Sequence, residues 1–432
     1  MTKSNIFADH YRPLNPEDIA ASETNFKINF VGLILGLFFL LIFRSFEISV
    51  AWKFTGLTVL VAVSVTLMEY LCYGKNSPLG LLKVYRKINF KRCCYKILGL
   101  FFVFGCIACI YWLFPLFHEG TFKKWIEYLK MMCPYLGGIS ICYIFLMDII
   151  LKQEKDEYWH IGYYLIHRKN GLSYAQLANL ARSWLVKLFF LGLMVPWSFG
   201  HLSNIEKEDF FSFSLSNPVA LFFALETICY GIDVIYGAIG YIGGLKVNNT
   251  HIRSAEPTLF GWIVAIMCYW PFWGVLFYPH FLDYHHTNRW MDIFDTGGVV
   301  WYAWAAMIVV CELIYAMSTV AAGTRFSNLT YRGLWHTGPY RWTKHPAYIA
   351  KNISWWLITM PFMLETIDLA IKCSLLLFCV NIIYYLRAKT EERHLSHYSE
   401  YREYALLMND KSIFRFITRF FPFLEYRIPM DK

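Results

Sequence analysis

The chain reads as an all-α, polytopic membrane protein of about ten transmembrane helices followed by a cytosolic amphipathic helix. Three observations predict this. Of 432 residues, 57% are hydrophobic and only 16% charged, with a mean hydropathy of +0.38. Apolar runs of roughly 20 residues recur along the chain, the length a helix needs to cross ~30 Å of hydrocarbon. The segments between the runs alternate between basic and acidic or mixed charge.

The runs fall at about 28–43, 54–73, 97–117, 129–151, 184–200, 219–244, 258–278, 298–321, 348–363 and 366–386, the first and ninth being the shortest. The first 27 residues are polar, with Pro13, Pro16, Glu17 and Asp18, and no small-residue cleavage site follows a short apolar core. A cleavable signal peptide is therefore not expected. With the N-terminus inside, each loop that should be cytoplasmic is basic. These are 74–96 (Lys75, Lys83, Arg86, Lys87, Lys91, Arg92, Lys96), 152–183 (Lys152, Lys155, Arg168, Lys169, Arg182), 245–257 (Lys246, Arg253) and 322–347 (Arg325, Arg332, Arg341, Lys344). The opposite loops carry Glu206, Glu208 and Asp209 against Lys207, then Asp283, Asp292 and Asp295 against Arg289. This is the positive-inside asymmetry, and it places both termini in the cytoplasm. The net charge of +9 then reflects topology and affinity for anionic lipid, not nucleic-acid binding.

No repeat or linker divides the chain, but its two parts differ. Residues 1–257 hold six spans with generic loops and read as an accessory membrane region. Residues 258–432 hold four spans, with the spaced polar features at their cytoplasmic ends, and read as a catalytic region. Gly237, Gly240, Gly243 and Gly244 line one face of the sixth span, as close helix–helix contact requires. Glu69, Asp148, Glu226, Asp233 and Glu312 are costly in lipid and should face the bundle or water. Most of the twelve cysteines lie inside apolar runs and read as small core hydrophobes, Cys106 and Cys109 included. The segment from Pro279 to His286, with His280, Asp283, His285 and His286, has the residue types of a metal site, but no second cluster completes it, so no metal is expected.

Chemistry concentrates in residues 338–348, Gly-Pro-Tyr-Arg-Trp-Thr-Lys-His-Pro-Ala-Tyr, and in the run from Arg387 through Glu391 and Glu392 to Leu395, followed by Tyr398, Tyr401 and Tyr404. Gly338-Pro339 starts a turn, and Pro346 keeps His345 out of helical conformation. The loop thus enters its span as irregular backbone with N–H groups to spare. Arg387 and Glu391 share a helix face at i,i+4. Cationic donors, carboxylates and flat aromatic surfaces together suit S-adenosylmethionine. Its adenine, ribose diol, carboxylate and sulfonium call on aromatic, carboxylate, Arg or His, and carboxylate or aromatic partners respectively. Methyl transfer is an in-line displacement in which positioning dominates, so a nucleophile–base pair is not needed. The same cations also admit NADPH, and a non-catalytic membrane binding protein could keep such a pocket without turnover.

The paired motif resembles the C-terminal signature of the isoprenylcysteine carboxyl methyltransferase family and its phospholipid methyltransferase relatives. The resemblance spans Thr337-Gly338-Pro339-Tyr340-Arg341-Trp342, Lys344-His345-Pro346, Tyr348, Arg387-Ala388, Glu391-Glu392, Leu395, Tyr401 and Tyr404. It implies an integral membrane enzyme that binds S-adenosylmethionine on the cytosolic side and takes a lipophilic acceptor from the bilayer. Tyr340, Lys344, His345, Pro346 and Tyr348 match the cofactor loop. Arg387, Glu391 and Glu392 match the other half, with Arg387 and Glu391 as the catalytic pair and Glu391 and Glu392 toward the cofactor. The family usually has Arg where this chain has Lys344, and a Gly close after the loop tyrosine where it has Ile349, Ala350, Lys351 and Asn352. The small members have no counterpart of the six N-terminal spans. Sterol reductases of the wider superfamily share the His, the following Tyr and a length of about ten spans, and imply NADPH instead.

Overall fold

The computed structural model describes residues 19–168, 171–207, 210, 217–277, 281–284 and 290–429. Among them it is helical apart from one two-residue ladder, in which β1 (Ser254–Ala255) pairs antiparallel with β2 (Thr330–Tyr331). Six long helices come first, α1 (Phe26–Phe43), α2 (Val50–Tyr73), α3 (Phe90–Leu113), α4 (Gly120–Ile150), α6 (Tyr174–Ile205) and α7 (Pro218–Ile242), with the short α5 (Glu157–His167) between α4 and α6. α8 (Leu259–Ile266), α9 (Trp290–Ile293), α10 (Val299–Ala322), α11 (Pro346–Thr359), α12 (Ile367–Leu395), α13 (Ser399–Lys411) and α14 (Arg415–Phe420) follow. Eight of the described helices are long and apolar enough to cross a membrane: α1, α2, α3, α4, α6, α7, α10 and α12. The chain is an all-α, multi-pass membrane protein.

The seventh and ninth expected spans are not continuous helices. α8 ends after eight residues, because Pro271 has no N–H to continue the ladder, and the chain resumes as a π-helical stretch over Phe272–Phe277. α11 has 14 residues, about 21 Å, and stops where Met360 turns left-handed ahead of Pro361. Pairing of β1 with β2 nevertheless holds the two ends of 256–329 together.

The loops sort to two ends. At one end, Arg86 donates to the Lys152 carbonyl (2.7 Å), Lys246 pairs with Glu157 (3.3 Å) and Arg253 with Glu23 (2.5 Å), and Glu23 N–H bonds the Leu334 carbonyl (2.8 Å). All four basic loops therefore meet at that end. At the other end Lys53 pairs with Glu206 (2.9 Å), and Phe222 packs on Trp290.

The largest core cluster joins α1, α2, α6 and α7 with Ala316 and Val320 of α10. The glycine face of α7 makes its close approach to a loop as well as to a helix. A Cβ on Gly240 would lie 2.6 Å from the Phe326 carbonyl oxygen, and one on Gly244 would lie 2.9 Å from Arg332 Nη2. Fully buried Arg332 explains why the chain comes so near. It donates to the carbonyls of Thr250 (2.6 Å), Gly240 (2.8 Å), Phe326 (2.8 Å) and Thr324 (3.0 Å), satisfying orphan acceptors at the C-terminal ends of α7 and α10.

Of the charges expected to be costly, Asp148 is fully buried and meets Arg92 (2.6 Å) and Lys96 (3.4 Å), while Asp233 accepts from Tyr315 (2.7 Å) and from Thr319. The described cysteines are free, and Cys106 and Cys109 lie exposed on the outer face of α3 instead of in a core. The Pro279–His286 segment lies outside the described residues except for 281–284.

Candidate functional site

α12 has 29 residues and is about 43 Å long, more than the ~30 Å of hydrocarbon it has to cross. Its last two and a half turns, with Arg387, Thr390, Glu391, Glu392, Arg393 and His394, therefore extend beyond the apolar layer. Facing them is the 338–345 loop. Gly338 has φ +60, and a Cβ there would strike the Phe26 ring at 2.7 Å, so glycine is required to start the 3-10 turn Gly338–Arg341. His345 takes a non-helical N-cap conformation, and Pro346, buried as the first residue of α11, starts the helix without needing an N–H partner.

These elements line a cavity of about 800 Å³, open mouth included. Six of the eight residues singled out from the sequence line it: Tyr340, Lys344, His345, Tyr348, Arg387 and Glu391. Tyr348 donates its hydroxyl to Glu391 Oε2 (2.7 Å) and stacks on the His345 ring at 5.5 Å. The Arg387 guanidinium lies 4.9 Å from the centre of the Tyr348 ring, and its Nη2 donates to Asn328 Oδ1 (2.6 Å) and the Tyr269 hydroxyl (3.2 Å). Its Nε and Nη1 make no hydrogen bond to a described residue, and no described carboxylate pairs with it. Arg387 is thus a buried cation held by neutral oxygens and ring faces.

The other two residues do not line the cavity. Pro346 acts through the backbone, as above. Glu392, although next to Glu391, points to the opposite side of α12, because consecutive helical residues diverge by about 100°. There it forms an ion pair with Lys344 (2.9 Å) and accepts from His345 Nε2 (3.1 Å) and Lys389 (2.9 Å), clamping the loop to the helix. Burial pushes the Lys344 ammonium below the usual lysine range, with Glu392 opposing the shift. Burial, with Glu391 adding to it, pushes the Tyr340 hydroxyl up, so it stays protonated.

Several lining residues gave no signal in the sequence. Asn328 donates Nδ2 to the hydroxyls of Tyr241 (2.9 Å) and Tyr269 (3.1 Å), and this triangle orients the oxygen it offers to Arg387. Tyr269 occupies the break after α8, so the interruption of the seventh span delivers a site residue. Glu256 accepts from Arg393 (2.9 Å), and His394 exchanges a hydrogen bond with Ser254 (2.9 Å), joining α12 to β1. Tyr404 donates to the Tyr340 carbonyl (2.8 Å), placing α13 over the loop. The spacing Gly338–Tyr348 and Arg387–Tyr404 marked the two main walls, whereas the third wall, 254–269 with 327–335, carries no motif.

Deeper along α11 and α12, the Lys351 ammonium is surrounded by the rings of Tyr315 (5.2 Å), Trp355 (5.3 Å) and Tyr384 (5.8 Å). Asn381 donates to Asn352 (2.6 Å) and accepts from Trp356 (2.8 Å), fastening the two helices. The two polar residues that depart from the family pattern thus have separate uses: one faces aromatic surface and the other is structural.

Among the described residues, no group of three or more His, Cys, Asp or Glu could hold a metal ion. Neither a curated protein nor a solved structure gave a match to the chain. The model of the isoprenylcysteine carboxyl methyltransferase (ICMT) family does match, over residues 304–397, which take in most of α10, the 338–345 loop, α11 and α12, so the part of the chain that builds two walls of the cavity is similar to that family.

Proposed function

We propose that the protein is a membrane methyltransferase that binds S-adenosylmethionine in this cavity and methylates a lipophilic acceptor drawn from the bilayer. The observation that carries the reading is Arg387. A buried guanidinium without a carboxylate partner among the described residues, next to the Tyr348–Glu391 pair, is suited to receive an anionic group. The residues fit the cofactor. Arg387 would take its carboxylate on the unengaged Nη1, Glu391 would accept from the ribose hydroxyls, and the Tyr340 and Tyr348 rings offer flat surfaces to the adenine and sulfonium. Glu392, from outside the cavity, holds Lys344 and His345 of its lining in place.

When bound, S-adenosylmethionine supplies an electrophilic methyl group on a sulfonium. The chain's own contribution is to position, to exclude water and to leave the acceptor a route in. An acceptor from the bilayer would enter between α11 and α12, past Lys351 and its rings.

The orientation follows from the same reading. The four basic loops, the segment 19–25 and the cavity share one end, which we assign to the cytoplasm, where the soluble cofactor is present. Two short returns, 259–298 and α11, then complete ten traverses, and the described chain begins and ends on that side. Residues before 257 serve as scaffold, and those from 258 carry the chemistry.

Calorimetric titration of the purified protein with S-adenosylmethionine, its demethylated product and NADPH tests the assignment. Micromolar binding of the first two, lost in Arg387→Ala and Glu391→Ala, is expected. Binding of NADPH alone would replace the reading with a reductase, and binding of none would leave a non-catalytic protein.

A further inference from the structure

On the outer flank of α12, away from the cavity, lies a second concavity of about 630 Å³, open mouth included. Lys389, Arg393 and Arg427 bring three cations to it, against the carboxylates of Glu392 and Glu425. Glu392 is already shared by Lys344, His345 and Lys389, and Arg393 is engaged on one nitrogen by Glu256 and Thr258. Arg427 is exposed and makes no hydrogen bond or ion pair to any described residue. The groove is left with more positive charge than its own carboxylates neutralise.

Its rim is apolar and continuous with lipid-facing surface. Phe420 is 80% exposed, and Phe416 and Phe423 are 59% exposed each. The segment carrying them runs back along the span. Tyr385 donates to the Phe423 carbonyl (3.0 Å) and packs edge-on against its ring (5.8 Å), ten residues before α12 ends. Ile382 and Phe378, exposed on the outside of α12, prolong the same strip. Arg415 and Arg419 alternate with these aromatics, the composition of a segment lying in a membrane interface.

We propose that this groove seats the phosphate-bearing head of an anionic phospholipid. Arg427 and the unengaged nitrogens of Arg393 face the phosphate, acyl chains run along Phe423, Ile382 and Phe378, and residues 413–423 lie in the interface beside it. The seat is wired to the cavity. Lys389 donates to the Glu425 carbonyl (2.9 Å), the Tyr426 ring lies 5.3 Å from the Lys344 ammonium, and the Tyr426 hydroxyl bonds Ser396 (2.6 Å). A lipid that fixes this strap also braces the Lys344 loop, so the state of the bilayer reaches the site.

The test is backbone amide exchange over 413–428 of the full-length protein in nanodiscs of phosphatidylcholine alone or mixed with phosphatidylglycerol. It needs no cofactor or acceptor, so its outcome is independent of the methyltransferase assignment. Exchange should slow in the mixed nanodiscs. Arg427→Gln should remove about fivefold of that protection, the equivalent of ~1 kcal/mol per basic side chain near an anionic surface. Equal exchange in the two nanodiscs would overturn the proposal. So would unaltered protection in Arg427→Gln with loss in Arg415→Gln/Arg419→Gln, which would assign the effect to diffuse surface charge. Protection produced in phosphatidylcholine nanodiscs by inorganic phosphate alone would overturn the lipid as ligand.

Discussion

The two parts of the chain bury charge in opposite ways. In the N-terminal bundle, Asp148 is surrounded by Arg92, Lys96 and the Asn89 N–H, so both oxygens of its carboxylate are engaged by the protein itself. At the C-terminal end, Arg387 is surrounded by an amide oxygen, a phenol and ring faces, and Glu391 by a single hydroxyl. Both arrangements avoid a bare charge in a low-dielectric interior. Only the second leaves donors and acceptors directed into a cavity. On the function proposed above, the self-complementary charge belongs to the scaffold and the incompletely matched charge around the cavity to the binding site.

The largest effect should come from breaking the scaffold. Removing one member of a buried ion pair costs ~3–5 kcal/mol, because its partners stay buried without compensation. Asp148→Asn should therefore lower the thermal unfolding temperature in detergent markedly, followed by tryptophan fluorescence. Affinity for S-adenosylmethionine should be unchanged in the fraction still folded. Equal loss of affinity and stability would erase the distinction between the two ends.

Arg387→Ala should do the converse. Losing the charge-assisted hydrogen bond to the cofactor, worth ~1.5–3 kcal/mol, predicts at least a tenfold rise in Kd for S-adenosylmethionine. Stability should change little, since no carboxylate is left stranded. Glu391→Gln keeps shape and loses charge, and a rise of about tenfold is expected from calorimetry.

The contrast also explains what could be read beforehand. Apolar runs report the helices themselves, so α1 to α4, α6, α7, α10 and α12 were legible from length and hydropathy. The short returns were not, since Pro271 and Pro361 interrupt runs that composition alone makes continuous. In the site, residues brought together by a turn or one helix face, such as His345 with Tyr348 or Arg387 with Glu391, leave a spacing in the sequence. Asn328 and Glu256 reach the cavity, and Tyr269 reaches Arg387, only because the β1–β2 ladder and the break after α8 fold distant segments together, and such contacts leave no local pattern. Glu392 was legible as a site residue, yet its direction was not. A shift of one helical position separates a side chain facing the cavity from one that clamps the loop.

That clamp gives a pH-dependent prediction of smaller size. Lys344 releases its proton at a lower pH when folded than when unfolded, because burial outweighs the attraction of Glu392. Between those two values the unfolded chain binds more protons, so this group's contribution to folding stability rises with pH while the Lys344–Glu392 pair dissolves. Affinity for S-adenosylmethionine should accordingly fall by up to about tenfold, one charge-assisted hydrogen bond, as pH rises toward the ordinary lysine range. Lys344→Arg keeps its charge throughout and should flatten the curve. Parallel pH profiles for the two proteins would remove Lys344 from the account.

The smallest effects separate positions where scaffold touches site from positions where it does not. A Cβ on Gly240 would lie 2.6 Å from the Phe326 carbonyl oxygen and 3.1 Å from the Phe326 Cα, so backbone must move. Overpacking of this kind costs ~1–3 kcal/mol. The displaced segment leads directly into Asn328, which holds Arg387. Gly240→Ala should therefore lower the unfolding temperature by a few degrees and weaken S-adenosylmethionine binding severalfold together. Gly105, on α3, is different, because a Cβ there would meet no atom within 4 Å. Gly105→Ala should leave affinity unchanged and, by restoring helix propensity, raise stability by up to ~1 kcal/mol. If Gly240→Ala loses stability but keeps affinity, the scaffold and the site are energetically separate despite their contact.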